Sequence, residues 1–254
     1  MCIRDRRWET HKCYCCPPSV ARTVAKLGGW AYGLTDDGVW VHLYGGNTLS
    51  AKLADGSPLK LTQKTGYPWD GKIAIAIDEA GREAFAVMLH IPAWADAASI
   101  KVNGEDAGVA ATPGSYAAIR RAWKAGDRIE LDLPMRVRLI EAHPLVEECR
   151  GEVAVMRGPI VYCLESPDLP KGVRLDQIAL PADVELTPHH DPKLLGGVTV
   201  LEGQAVVRGS SDALYAEPKP DRRDRAAIRL VPYYAWANRG VSEMAVWLPL
   251  AAAR

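Results

Sequence analysis

The sequence predicts a mainly β protein, with two consecutive β-sandwich, jelly-roll-like domains preceded by a short helical segment. Three observations lead there. From Gly38 onward, short apolar runs recur at intervals of roughly ten residues, the rhythm of an all-β sandwich. Turn signals separate the runs: Asp36-Asp37-Gly38, Asp55-Gly56, Asp70-Gly71, Asn103-Gly104 and Ala125-Gly126-Asp127. Apolar residues at helical spacing precede them, with Val20, Val24 and Leu27 at i, i+4 and i+7.

In chain order, Pro17 and Pro18 suit a first helical turn, where proline's missing N–H had no partner anyway. The helix is expected over Val20–Leu27 and to end at Gly28-Gly29, since glycine readily takes the left-handed cap conformation. So short a helix does not stand alone. Strands follow over Val39–Tyr44, Leu59–Thr65, Lys72–Ile77, Ala84–Ile91, Ser99–Val102, Tyr116–Arg120, Arg128–Leu133 and Arg136–Ala142. Lys72–Ile77 is apolar enough for the depth of a sandwich. Asn103-Gly104 is the strongest hairpin signal, because a type I′ turn needs positive φ at both central residues. A second set covers Glu152–Met156, Ile160–Glu165, Val173–Leu180, Val198–Glu202, Gln204–Arg208, Ala226–Val231 and Met244–Leu248. Asp183–Lys193 reads as loop and Ser210–Arg225 as a polar insertion. The boundary is placed near residue 143, dividing the chain into 1–35, 36–143 and 144–254.

Lys plus Arg and Asp plus Glu are each 31, so the formal net charge is zero, which argues against a nucleic-acid partner. No apolar run reaches the ~18 residues that span a bilayer. The segment Met1–Thr10 lacks the apolar stretch of a secretory signal. Of the six cysteines, Cys13, Cys15 and Cys16 crowd together, whereas a disulfide framework spreads its bridges. Reduced thiols follow, and with them a cytoplasmic location.

Cys13-Tyr14-Cys15-Cys16-Pro17-Pro18 is the candidate chemical motif. Two adjacent thiolates at a helix entry are able to ligate one zinc, and a helix N-terminus and a metal both favour thiolate over thiol. Buried, inert cysteines are the alternative. His11 and Cys13 are further ligand candidates, although their spacing fits no standard zinc knuckle.

Cys15-Cys16-Pro17-Pro18-Ser19 before an Ala-Arg helix resembles the signature of the bacterial β-L-arabinofuranosidases of glycoside hydrolase family 127. Further landmarks run in the family's order. They are Gly38-Val-Trp-Val-His-Leu-Tyr44, Tyr67-Pro-Trp-Asp-Gly71, Ile91-Pro-Ala-Trp94, Arg157-Gly-Pro159 and Pro232-Tyr-Tyr-Ala-Trp-Ala-Asn-Arg-Gly240. The resemblance implies that residues 1–35 are the C-terminal remnant of an (α/α)6 catalytic barrel. It implies a retaining hydrolase acting on L-arabinofuranoside-containing glycans, whose sandwiches brace the barrel and a homodimer. It makes Cys15 the nucleophile and a zinc ligand, and Cys16 a second zinc ligand. In the family the acid/base glutamate and the remaining zinc ligands, a Glu and a Cys, lie upstream of the Cys-Cys pair, and only twelve residues precede Cys13 here. Glu9 does not occupy the acid/base position. The chain is therefore expected to hold zinc weakly, to be inactive by itself, and to leave the Val20–Leu27 stripe unburied.

The rival reading is a non-catalytic carbohydrate-binding or scaffolding module; a small zinc protein built on Cys13–Cys16 ranks below both. Trp40, Trp69, Trp94, Trp123, Trp236 and Trp247 suit a sugar platform, but sandwich core or a domain seam is the plainer assignment. His143 and His189-His190-Asp191 read as structural rather than metal-binding, and Asp221–Arg225 as a solvated loop. Cys149 and Cys163 read as buried small residues.

Overall fold

The computed structural model describes residues 3–7, 14–209, 213–215, 217 and 224–251. The chain divides into two compact units, one of residues 11–136 and one of residues 137–254 with 1–10.

The first unit is a two-sheet sandwich behind one helix. A four-stranded sheet orders Ser115–Arg121, Phe85–Ile91, Gly38–Val41 and Tyr32–Thr35; Gly38–Val41 runs parallel to Phe85–Ile91 and the other pairings are antiparallel. A six-stranded antiparallel sheet orders Asn47–Lys52, Pro58–Thr65, Lys72–Glu79, Arg128–Asp132, Ser99–Val102 and Glu105–Asp106. Val39, Val41, Val87, Leu89 and Ile91 of the first sheet share one core with Leu59, Leu61, Ile73, Ile75, Ile77 and Leu131 of the second. Period-two alternation sets this up, since Ile73, Ile75 and Ile77 all point inward from one strand. Asn103 and Gly104 take φ of 56° and 86°, the primed turn their sequence demands, and Asn103 donates to Asp127 at 2.9 Å.

The helix spans Cys16–Trp30, longer than expected at both ends. Gly28 and Gly29 lie inside it rather than ending it. Its end is set by tertiary contact: the buried Ala31 carbonyl accepts from the backbone N–H of His42 at 2.9 Å and Leu43 at 3.3 Å. That anchor outweighs the local preference of two glycines, each about 1 kcal/mol less favourable than alanine in a helix. No helix residue is buried; Val20, Val24 and Leu27 are 63%, 61% and 43% exposed.

In the second unit, hydrogen bonding joins ten strands into one sheet that folds in sandwich fashion around Val155, Tyr162, Leu164, Leu201, Leu230 and Leu248. The division between units falls at Arg136/Val137, ahead of the expected boundary near 143, because Val137–Glu141 pairs antiparallel with Glu152–Arg157. Three further readings are corrected. Asp183–Lys193 is not all loop, since Thr187–Asp191 pairs along Val198–Glu202; it is a polar strand whose ladder is to that one neighbour, where Pro188 is tolerated. Val173–Leu180 is mostly not strand: Leu175–Gln177 is a 3-10 turn, with the Gln177 side chain accepting from the Arg174 N–H at 2.9 Å, and only Ile178–Ala179 is extended. Val198–Val207 is one strand through Gly203, not two.

Candidate active site

Cys15 is the residue before the helix and Cys16 the first residue within it; Pro17 and Pro18 carry no N–H, so Cys16 is the one backbone donor among the first three helical residues. The Cys15 carbonyl accepts from the Ser19 N–H at 3.3 Å, and the Ser19 carbonyl from the Thr23 hydroxyl at 3.0 Å. Neither thiol is in a disulfide and both are exposed, with their sulfurs 3.6 Å apart. Two thiolates on one tetrahedral zinc, at about 2.3 Å each, stand about 3.8 Å apart, so this separation fits a shared metal without rebuilding the turn. Two ligands do not close a zinc shell. No group of three or more His, Cys, Asp and Glu able to hold a metal occurs among the described residues. His11, Cys13 and Glu9 lie outside them.

The other candidates are dispersed. Trp123 is core and donates to the Phe85 carbonyl at 3.2 Å. Trp40 packs edge-on against Tyr116, Trp69 is half exposed, and the ring of Trp236 lies under the Arg7 guanidinium. His143 accepts from the Leu145 N–H at 3.2 Å, which makes it a turn residue. His189 and His190 are exposed on the edge strand, where neighbouring Asp191 accepts from the backbone of Lys193 and Leu194. Cys163 is buried, and burial pushes its thiol up to about 12, which leaves it inert; Cys149 is half-buried. Residues 221–223 are outside the described part.

Two groupings escaped the sequence reading. In the second unit, buried Glu165 accepts from Arg239, the Ser242 hydroxyl and the Ala237 N–H, while Arg239 also pairs with Asp168. The hydrogen bond that Arg239 donates to Asp168 is the main cause raising its pKa; burial opposes the rise, and the bond donated to Glu165 adds to it, so the charge is held. In the first unit, His42, Tyr116 and His90 cluster, with His42 Nδ1 2.7 Å from the Tyr116 hydroxyl. Alternation along Gly38–Tyr44 was the available signal for His42; nothing in the sequence ties it to His90.

Comparison with known proteins places the chain in a family of glycoside hydrolases. The model of the β-L-arabinofuranosidase GH127 middle domain matches residues 38–135, and that of the glycoside hydrolase family 127 C-terminal domain matches residues 137–249. The chain is 34% identical over 260 residues to a non-reducing end β-L-arabinofuranosidase of Bifidobacterium longum subsp. longum, covering 96% of this chain and 38% of that one. A solved GH127 β-L-arabinofuranosidase from Geobacillus stearothermophilus T6 is 39% identical with a TM-score of 0.88, over 98% of this chain and 39% of that one. A structure described as a glycoside hydrolase is 41% identical with a TM-score of 0.90, over 98% and 41%. The chain belongs to glycoside hydrolase family 127, whose middle and C-terminal domains it carries. It spans well under half the length of each of these relatives. No described helix is long and apolar enough to cross a membrane.

Proposed function

We propose that this chain supplies the nucleophile of a retaining β-L-arabinofuranosidase acting on L-arabinofuranoside-containing glycans. The observation that carries the reading is the pair of exposed thiols at the helix entry, 3.6 Å apart. The Cys15 thiolate attacks the anomeric carbon. A carbon–sulfur bond forms as the glycosidic carbon–oxygen bond breaks, and a carboxylic acid protonates the leaving oxygen. Water then displaces the thiolate from the opposite face, and the two inversions give retention. Cys15 and Cys16 are the residues that would hold zinc, which when bound keeps thiolate available and oriented near neutral pH. Two sulfur ligands are half of a tetrahedral set, so the remaining ligands and the acid come from elsewhere in a longer protein, and the isolated chain holds zinc weakly and is inactive. That Cys15, Cys16, Cys149 and Cys163 stand outside any disulfide supports a reducing, cytoplasmic setting.

The test joins the upstream part of the Bifidobacterium relative to this chain and assays an aryl β-L-arabinofuranoside. The chimera turns over, Cys15→Ala loses at least about three orders of magnitude in kcat, and this chain alone shows no turnover. A Cys15→Ala chimera that retains full activity contradicts the assignment.

A further inference from the structure

At the far end of the same helix, and entirely within the first unit, lies a cleft of about 920 Å³. Its size is in the range of about 300–1,000 Å³ common to small-molecule sites. Leu27 and Gly28 form one margin, eleven residues beyond Cys16, so helical rise puts it about 17 Å from the thiols. Tyr44, Tyr67 and Trp94 supply aromatic surface, and Asn47, His42 and His90 supply polar edges. None of its lining residues is Asp, Glu, Lys or Arg.

The wall is preorganised. Tyr44 donates to the His90 carbonyl at 2.6 Å and meets the Tyr67 ring edge-on at 6.0 Å. Buried Gln63 donates to the Tyr32 hydroxyl at 2.6 Å, which in turn donates to Asn47 Oδ1 at 2.6 Å, fixing the Asn47 amide. A Cβ at Gly33 would lie 2.8 Å from His42 Nε2, so glycine there leaves the imidazole its place. Burial raises the Tyr32, Tyr44 and Tyr67 phenols and, with the His42 charge as a second cause, lowers the His90 imidazole. Each of these shifts keeps its group neutral at neutral pH.

Aromatic faces with hydrogen-bonding edges and no Asp, Glu, Lys or Arg suit a ligand with apolar C–H faces, many hydroxyls and no charge. We infer that this cleft is a saccharide-binding site for a neutral furanoside or short neutral glycan, separate from the Cys15 centre. A charged sugar acid finds no counter-charge there and would lose hydration without compensation. An apolar peptide offers no hydrogen-bonding groups to the His42, Asn47 and His90 edges. Membership of a glycoside hydrolase family favours the saccharide, but the cleft does not depend on Cys15 being the nucleophile.

The test is an NMR titration of the chain carrying Cys15→Ala with methyl L-arabinofuranoside, galacturonate and an apolar octapeptide as separate probes. Saturable shifts at Tyr44, Asn47, Tyr67, His90 and Trp94 are expected with the neutral furanoside alone. Trp94→Ala and the milder Asn47→Ala each weaken binding about tenfold, the latter keeping the test valid if the former unfolds. Absence of shifts at these residues with the neutral sugar, an equal response to galacturonate, response to the peptide alone, or unchanged binding by folded Asn47→Ala overturns the inference. Because Cys15 is absent throughout, the result is independent of the nucleophile assignment.

Discussion

At the scale of single residues, the costliest group in the molecule is Glu165, whose carboxylate is wholly buried. It is tolerable because Arg239, Ser242 and the Ala237 N–H all donate to it. Removing one partner of such a pair leaves an uncompensated charge. Arg239→Met is therefore expected to lower unfolding stability by about 3–5 kcal/mol, a large share of what a domain has, in urea denaturation. Glu165→Gln added to Arg239→Met restores part of that loss. A destabilisation below about 1 kcal/mol would mean that the carboxylate finds water instead. None of this was readable from sequence, because Glu165 and Arg239 are 74 positions apart, and nothing in the Pro232–Gly240 landmark that holds Arg239 points to Glu165. Cys15 and Cys16 stood out in the sequence as a candidate pair because two thiols occupy adjacent positions, and the family resemblance suggested their roles.

At the scale of elements, what was readable is what burial writes as a pattern. Lys72–Glu79 and Phe85–Ile91 bury the residues that their apolar runs single out, and both were found. Asn47–Lys52 and Thr187–Asp191 escaped because their residues are exposed or only half-buried, so backbone pairing gives no apolar alternation. The helix end was misplaced for the opposite reason: the Ala31 anchor is a long-range contact that no local glycine signal reveals. Helix Cys16–Trp30 buries none of its side chains, and an isolated helix of its length is marginal in water. Its amides from 20 to 30 should exchange faster than those of Ile73–Ile77 by about three orders of magnitude or more in native-state hydrogen exchange. Equal protection in both segments would show that the helix folds as part of the sandwich core.

At the scale of the whole molecule, two units with separate hydrophobic cores carry one exposed thiol pair. The sequence read both β domains correctly in kind; it set their boundary late because Val137–Glu141 looks like any other strand until its partner Glu152–Arg157 is known. The family's landmarks lie along both units, and the relatives match over nearly the whole chain. The central claim rests on a single sulfur atom. The most direct measurement is peptide mass spectrometry of the chimera, quenched in acid during turnover of an aryl β-L-arabinofuranoside. A pentosyl adduct on the peptide containing Cys15, absent in Cys15→Ala, is the expected result. A pentosyl adduct on any other residue, or rapid turnover by Cys15→Ala, would contradict the account.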